Sequence, residues 1–387
     1  MISRIEMEKQ EEKNLAGFAM RPSQSRGRKY KEKEHPYRTC FQRDRDRIVH
    51  CVAFRRLEYK TQVFVNHEGD YYRTRLTHTI EVAQISRSIA RTLQVNEDLT
   101  EAIALAHDLG HTPFGHSGEE VLHTLMKEYS GSFEHNRQSW RIVEELESCY
   151  PDFPGLNLTY EVREGIIKHK TSYDQPVIKD FEPNKSATIE AQIVNVADEI
   201  AYSAHDLDDG LTAGYLQEEE LKEVDIWKEI CSELKLKSNS IVKEGFKYQA
   251  VRLLINKQAT DLLEYTSANI GSKKILSLED VRQNRTIVEF SPEMRRKNKQ
   301  LKKFLYDRLY NYYKVKRMME KAKRFIKELF HAYMKQPLQL PPEVQQKMVK
   351  LRTVSAKAQV VCDYIAGMTD RSVQDEYIKL FMPYEKV

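Results

Sequence analysis

A chain of 387 residues, 40% apolar and 31% charged, is long enough for one large domain or two ordinary ones, and none of its apolar runs approaches the roughly 20 residues of a membrane-crossing helix. A net charge of +4 is small for this length, so the overall balance does not call for a nucleic-acid partner. The five scattered cysteines form no CxxC pair and read as reduced thiols, and the opening MISRIEMEKQEEKN lacks the apolar stretch of a secretory signal, so a cytoplasmic protein without membrane contact is expected.

Residues 1–40 carry Pro, Ser, Gly and dense mixed charge (RPSQSRGRKYKEKEHPYR), the pattern of an extended or mobile basic arm. A core domain is expected over 41–215 and a helical C-terminal region packing on it over 216–387. A short β-hairpin is expected from Thr61–Val65 and Tyr71–Arg75, two runs of β-formers that flank the turn-prone NHEGD. Everything after it reads mostly as helix, so the fold class is all-α with one small hairpin.

From Leu76 to Leu93, the residues Val82, Ile85, Ile89 and Leu93 recur every three or four positions, which marks the buried stripe of an amphipathic helix. His78 precedes Val82 by one turn and lies on that stripe. A second helix is expected from Leu99 to Leu109, with Asp98 as its N-cap and Gly110 as its stop; Ala102, Ile103 and Ala106 face inward, and so does His107, one turn after Ile103. A third, about Ala187 to Asp208, is apolar nearly all round and holds Asp198 at its middle.

A carboxylate inside an apolar helix is costly unless a cation or hydrogen-bond donors compensate it. Two inward histidines on other helices, with Asp108 beside one of them, complete a mixed nitrogen and oxygen set suited to a divalent cation. Taken singly, each of these residues is more readily a satisfied core histidine or a capping aspartate; taken as a set, the balance reverses toward a metal site. Asp198, Tyr202, His205 and Asp206 fall at i, i+4, i+7 and i+8, so the second His-Asp pair reads as pocket lining beyond the metal. Between the second and third helices, HDLGHTPFGHSGEE (residues 107–120) is dense in His and Gly. His111, His116 and Glu119 hang from this loop, and His116 with Glu119 is its best acid-and-orienter pair.

The segments YRTRLTHTIEV, AHDLGHTPFGHSGE, IVNVADEIAYSAHDLDDG and DYIAGMTDR resemble the HD-domain phosphohydrolases, and within them the dGTPase-like deoxynucleoside triphosphate triphosphohydrolases. The likeness runs from about residue 40 to 371 and implies the HD-domain helical fold. It implies that His78, His107, Asp108 and Asp198 ligate one divalent cation per subunit, and that His116 and Glu119 are the catalytic pair. It further implies that Arg75 contacts phosphate, that Gln62, Tyr202 and Asp206 face the deoxyribose, and that His135 approaches the phosphates. The activity implied is hydrolysis of dGTP or several dNTPs to deoxynucleoside and inorganic triphosphate by a symmetric homo-oligomer.

Lys168 and Lys170 are added as phosphate neutralisers on charge alone. Two imidazoles and two carboxylates suit Mn²⁺ or Mg²⁺, with Fe²⁺, Co²⁺ or Ni²⁺ as alternatives. The rival readings are another HD-domain nucleotide phosphatase or phosphodiesterase, and a nucleic-acid-binding protein with a vestigial site. The second rests on thirteen Lys or Arg between Met294 and Arg324, interleaved with Tyr306, Tyr310, Tyr312 and Tyr313, and on the basic stretch Arg21 to Arg47. Either stretch could take single-stranded nucleic acid or a nucleotide effector.

Overall fold

The computed structural model describes residues 2–62, 73–169, 181–237 and 243–384. They form seventeen α-helices with short 3₁₀ and π turns and no named strand, the all-α class expected. Of the hairpin, only a single antiparallel bridge between Thr61 and Thr74 lies in the described residues; its body falls outside them. No described helix is long and apolar enough to cross a membrane.

The chain folds into two units interleaved along the sequence, one of Met1–Arg47, His78–Leu105 and Leu158–Val315, the other of Ile48–Thr77, Ala106–Asn157 and Lys316–Val387. Their edges do not fall at residues 40 and 215.

The first unit is built around the helix Ile189–Thr212, capped by the Thr188 hydroxyl, which accepts the Ala191 amide. Ile189, Ile193, Val194, Ala197, Ile200, Ala204 and Leu207 are all buried, as its nearly all-round apolarity predicts. It packs against Lys243–Ser272 and Pro292–Leu305. Those two helices are tied to each other by a buried hydrogen bond from Gln258 to Asn298 of 2.9 Å.

The N-terminal stretch is not an arm. Ser3 and Glu6 form a capping box that starts the helix Arg4–Asn14, and Ala19, Met20 and Arg21 are buried. Buried Glu190 accepts the amides of Met20 (2.9 Å) and Asn96 (3.1 Å), so this segment is fastened to the core by a residue 170 positions on. The helix Glu97–Ala106 is capped by Asn96, whose side chain accepts the Leu99 amide, and not by Asp98, which is drawn instead to Arg45 and Gln42 at 2.9 Å each. A buried pair joins Arg282 to Glu164, with one contact of 2.8 Å. Replacing Arg282 with Met is expected to cost about 3 kcal/mol, the low end for a broken buried pair because Lys168 still neutralises Glu164. Calorimetry would show a lowered Tm; a change under about 0.5 kcal/mol, ordinary for a surface site, would remove the pair from the stability account.

In the second unit, Ala322, Ile326, Leu329, Phe330 and Tyr333 make the apolar stripe of the helix Tyr313–Lys335. They pack with Leu122 and Met126 of His116–Glu128, Cys362 and Ile365 of Val354–Ala366, and Val373 of Asp370–Phe381. Each such large side chain contributes about 1.5–3 kcal/mol through burial, which makes this cluster a firm base for whatever it supports. It includes Phe114, in the middle of the His-rich loop.

Candidate functional site

Each unit carries a cluster of buried titratable side chains. In the second unit the cluster grows from the His-rich loop. The helix before it ends at Ala106, so His107 and Asp108 sit in the turn beyond, one turn earlier than a stop at Gly110 would give. Ser139 stitches this turn, donating to the His107 carbonyl (2.9 Å) and accepting the Gly110 amide (2.8 Å). A side chain at Gly110 would meet the backbone of His135 and Ser139 at 2.2 Å, so only glycine allows the loop this close.

Asp108 is the hub. One oxygen takes Arg75 Nη1 at 2.9 Å, and the other lies 3.2 Å from His111 Nε2 and 3.4 Å from His107 Nε2. Burial opposes its ionisation, but the neighbouring His107, Arg75 and His111 outweigh burial and hold it well below the usual carboxylate range. Arg75 therefore has a first task that the sequence did not suggest, orienting Asp108. Its Nε has no hydrogen-bond partner among the described residues.

Glu119 bridges two histidines. Its Oε2 is 3.2 Å from His116 Nδ1, and its Oε1 is 2.8 Å from His135 Nδ1 and also accepts the His135 amide. Burial would lower the pKa of His135, yet the Glu119 carboxylate raises it to about 9; despite its own burial, Glu119 is pulled below the usual range by His135 and His116. His111 stacks on His135 with ring centres 4.1 Å apart. Burial first, then Arg75 and His135, push the His111 pKa well down. His116 alone of these imidazoles is open, its side chain 52% exposed, which makes it the one a ligand from solvent reaches. The structure brings His116 and Glu119 together at the start of the helix His116–Glu128, not on the loop, and sets the other two candidates, His135 and His111, beside them. Gln62 is half-buried in the same unit, its Oε1 without a partner among the described residues.

In the first unit, His78 lies on the helix Arg75–Thr92 and Asp198 on Ile189–Thr212. His78 Nε2 is 3.0 Å from Asp198 Oδ1, and its Nδ1 is 3.3 Å from His205 Nδ1. His205 in turn pairs with Glu81. The second His-Asp pair is therefore split between two sets of neighbours: His205 meets His78 and Glu81 and so orients the His78 ring, whose Nε2 faces Asp198, while Asp206 meets Tyr310. Buried His169, which the sequence reading passed over between two lysines, brings Nε2 to 3.4 Å from Asp198 Oδ2.

Asp206 is buried, and burial pushes its pKa up to about 7 although the Tyr310 and Tyr202 hydroxyls partly offset this. Tyr310 donates to Asp206 Oδ2, and its ring stacks near Tyr202 at 6.2 Å between centres. Tyr310 was legible only as one tyrosine of a basic run; its place at the end of the π-helical turn Tyr306–Tyr310 is what brings it to Asp206.

Lys168 is corrected. Its ammonium contacts Glu164 Oε1 (2.8 Å) and the carbonyls of Lys185 (2.7 Å) and Glu182 (3.2 Å), so it anchors its own unit and is not turned to a phosphate. Lys170 lies outside the described residues.

The basic run also finds acids. Arg295 pairs with Glu289 (3.2 Å), Arg296 with Asp225 (2.7 Å), Lys297 with Glu229 (2.7 Å) and Lys302 with Glu199 (2.9 Å). In the N-terminal stretch Arg26 meets Glu182 and Arg47 meets Glu32, both at 2.7 Å. Much of the charge that suggested a phosphate-gripping surface is spent on holding helices together.

Two ligand atoms that share one ion at about 2.0–2.2 Å lie about 3 Å apart. The His78–Asp198 contact in one unit and the His107–Asp108 contact in the other, at 3.0 and 3.4 Å, fit that spacing. Imidazole with carboxylate is the donor chemistry of a divalent transition ion or Mg²⁺, so these residues fit such a group.

Residues 75–203 match the HD domain and residues 288–379 the phosphohydrolase-associated domain. The deoxyguanosinetriphosphate triphosphohydrolase-like proteins of Geobacter metallireducens and Geobacter sulfurreducens are each 54% identical over 100% of both chains. That of Bordetella pertussis is 48% identical over 95% of this chain and 96% of its own. Among solved structures, a hypothetical protein from Aquifex aeolicus aligns with 80% of this chain and 78% of its own at 15% identity and a TM-score of 0.31, too slight a likeness to bear on the fold.

Proposed function

Because this chain belongs to the family of deoxyguanosinetriphosphate triphosphohydrolase-like HD-domain hydrolases, we propose that it hydrolyses deoxynucleoside triphosphates at the α-phosphate, releasing a deoxynucleoside and intact triphosphate. The observation that carries the reading is the exposed His116 backed by Glu119 at 3.2 Å, an acid positioned for a leaving oxygen.

His78, His107, Asp108 and Asp198 would hold one divalent cation, Mn²⁺ or Mg²⁺ before Fe²⁺, Co²⁺ or Ni²⁺. When bound, such an ion supplies Lewis acidity toward phosphoryl oxygens and makes water a better nucleophile. In the reaction, water oxygen bonds to the α-phosphorus, the bond to the 5′-oxygen breaks, His116 gives its proton to that oxygen, and the proton of the water passes to solvent. Glu119 holds the His116 ring in place through Nδ1. His135, charged against Glu119, keeps that carboxylate ionised and in place.

Arg75, anchored by Asp108 through Nη1, offers its remaining N–H groups to the polyphosphate. Tyr202 leaves no room for a 2′-hydroxyl, while Asp206, held by Tyr310, and Gln62 read the 3′-hydroxyl. The enzyme would act in the cytoplasm as a symmetric homo-oligomer. Incubation with a panel of dNTPs and NTPs and each metal in turn, with products separated by chromatography, tests substrate, sugar preference and cofactor together. Nucleoside with inorganic triphosphate is the expected outcome; nucleoside monophosphate with pyrophosphate would transfer the chain to another HD-type phosphohydrolase chemistry.

A further inference from the structure

The motif DYIAGMTDR has no role in the chemistry above, yet its aspartate reaches back 256 positions to the His-rich loop. Asp370 is the first residue of the helix Asp370–Phe381, and Thr369 caps that helix. The Asp370 carboxylate is buried, and its hydrogen bonds leave its own helix. Its Oδ1 accepts the amide of Phe114 at 2.9 Å; its Oδ2 accepts the amide of Thr61 at 2.9 Å and the Thr61 hydroxyl. Beside it, the buried Lys60 ammonium donates to the carbonyls of His111 (2.6 Å) and Ala366 (2.9 Å). Two side chains therefore clamp the His-rich loop at residues 111 and 114 against the C-terminal helices.

The clamped residue is strained. Phe114 has φ +59°, in the left-handed region that a non-glycine residue rarely adopts, and such a conformation persists only when its surroundings enforce it. Gly115 follows at φ +57°, and a Cβ there would stand 3.1 Å from Arg75 Nη2, so this second left-handed step requires glycine. The next residue is His116, the first of the helix His116–Glu128. Relaxing φ at Phe114 toward an ordinary value would redirect the chain just before the imidazole that faces solvent.

We infer that Asp370, assisted by Lys60 and Thr61, is a positioning residue that latches the left-handed Phe114–Gly115 turn and thereby sets where His116 is presented. This rests on the reading of His116 as the proton donor. It also gives the phosphohydrolase-associated region a task in the chemistry, since Asp370 lies within residues 288–379.

Asp370→Asn tests it, because an amide in place of the carboxylate sets a donor against either the Phe114 or the Thr61 amide. A misplaced catalytic group costs about 10²-fold, so kcat for the dNTP substrate should fall by about that factor while KM stays within about threefold. Bound metal should equal that of the parent, and hydrogen exchange at the Phe114 amide should accelerate. Parental kcat despite faster exchange at Phe114 would overturn the latch, as would a loss of kcat that merely tracks a loss of bound metal. Should Asp370→Asn not fold, Thr61→Val removes one donor to the carboxylate; a several-fold drop in kcat that Thr61→Ser restores supports the latch, and parental kcat in Thr61→Val overturns it. His116→Ala assayed alongside separates the two readings. Turnover surviving in His116→Ala removes the proton donor and the latch with it, whereas an inactive His116→Ala beside a fully active Asp370→Asn removes the latch alone.

Discussion

Asp198→Ala is expected to lose bound metal and turnover together. Asp198 lies 3.0 Å from His78 Nε2 through one oxygen and 3.4 Å from His169 Nε2 through the other, so its removal takes one of the two carboxylates from the proposed ligand set. Two imidazoles with the single carboxylate of Asp108 hold a hard divalent ion far less well than the full set. Water activation and charge stabilisation of several kcal/mol would disappear at once, so kcat should fall by at least about 10³-fold, each factor of ten being about 1.4 kcal/mol. Elemental analysis of the purified variant should find the site without its one equivalent of metal. The fold should survive, because Asp198 is partly exposed and the helix around it is held by Ile193, Val194, Ala197 and Ala201, all buried. A folded variant with metal and full activity would dismantle the proposed ligand set.

Helical periodicity made much of this legible. Val82, Ile85 and Ile89 are buried as their spacing requires, and the same stripe places His78 inside. The glycine-rich spacing of residues 107–120 announced a loop, which in the structure spans only 107–115; His116 and Glu119 do not hang from it but open the next helix, His116–Glu128, where they meet at i and i+3. These signals are local: three or four residues suffice to read them.

What stayed hidden depends on partners far away in sequence. Asp370 finds Phe114 across 256 positions and Tyr310 finds Asp206 across 104, and no spacing rule reaches that far. A helical wheel shows which face His205 occupies but not which neighbours it meets; these are Glu81 and His78. The basic run misled for a similar reason. Its cations looked unmatched because Asp225, Glu229 and Glu199, which neutralise Arg296, Lys297 and Lys302, lie on other helices. The N-terminal stretch read as an arm because its Ser3–Glu6 capping box is a two-residue signal buried in dense charge.

His116→Ala and Glu119→Gln should separate proton donation from its support. Loss of a general acid costs about 10²–10⁴-fold, so His116→Ala should lower kcat by that range while KM and bound metal stay near parental values. The deficit should shrink on an analogue in which p-nitrophenol replaces the nucleoside, because that leaving group departs without a proton; an unchanged deficit on the analogue would mean that His116 does other work. Glu119→Gln should retain some proton transfer, since His116 remains, but it breaks two contacts at once, to His116 Nδ1 and His135 Nδ1. It should also leave a pH signature. Glu119 raises the pKa of His135 to about 9 in the fold, above the ~6.5 of an unfolded imidazole, so the stabilisation from charged His135 is fully present below pH ~6.5 and is lost as pH rises through about 9. The stability gap between parent and Glu119→Gln, read from denaturant midpoints, should therefore be widest near pH 6 and narrow toward pH 9 and above as His135 loses its proton. A gap that does not change across this range would mean that Glu119 supports His116 without a charged His135 behind it.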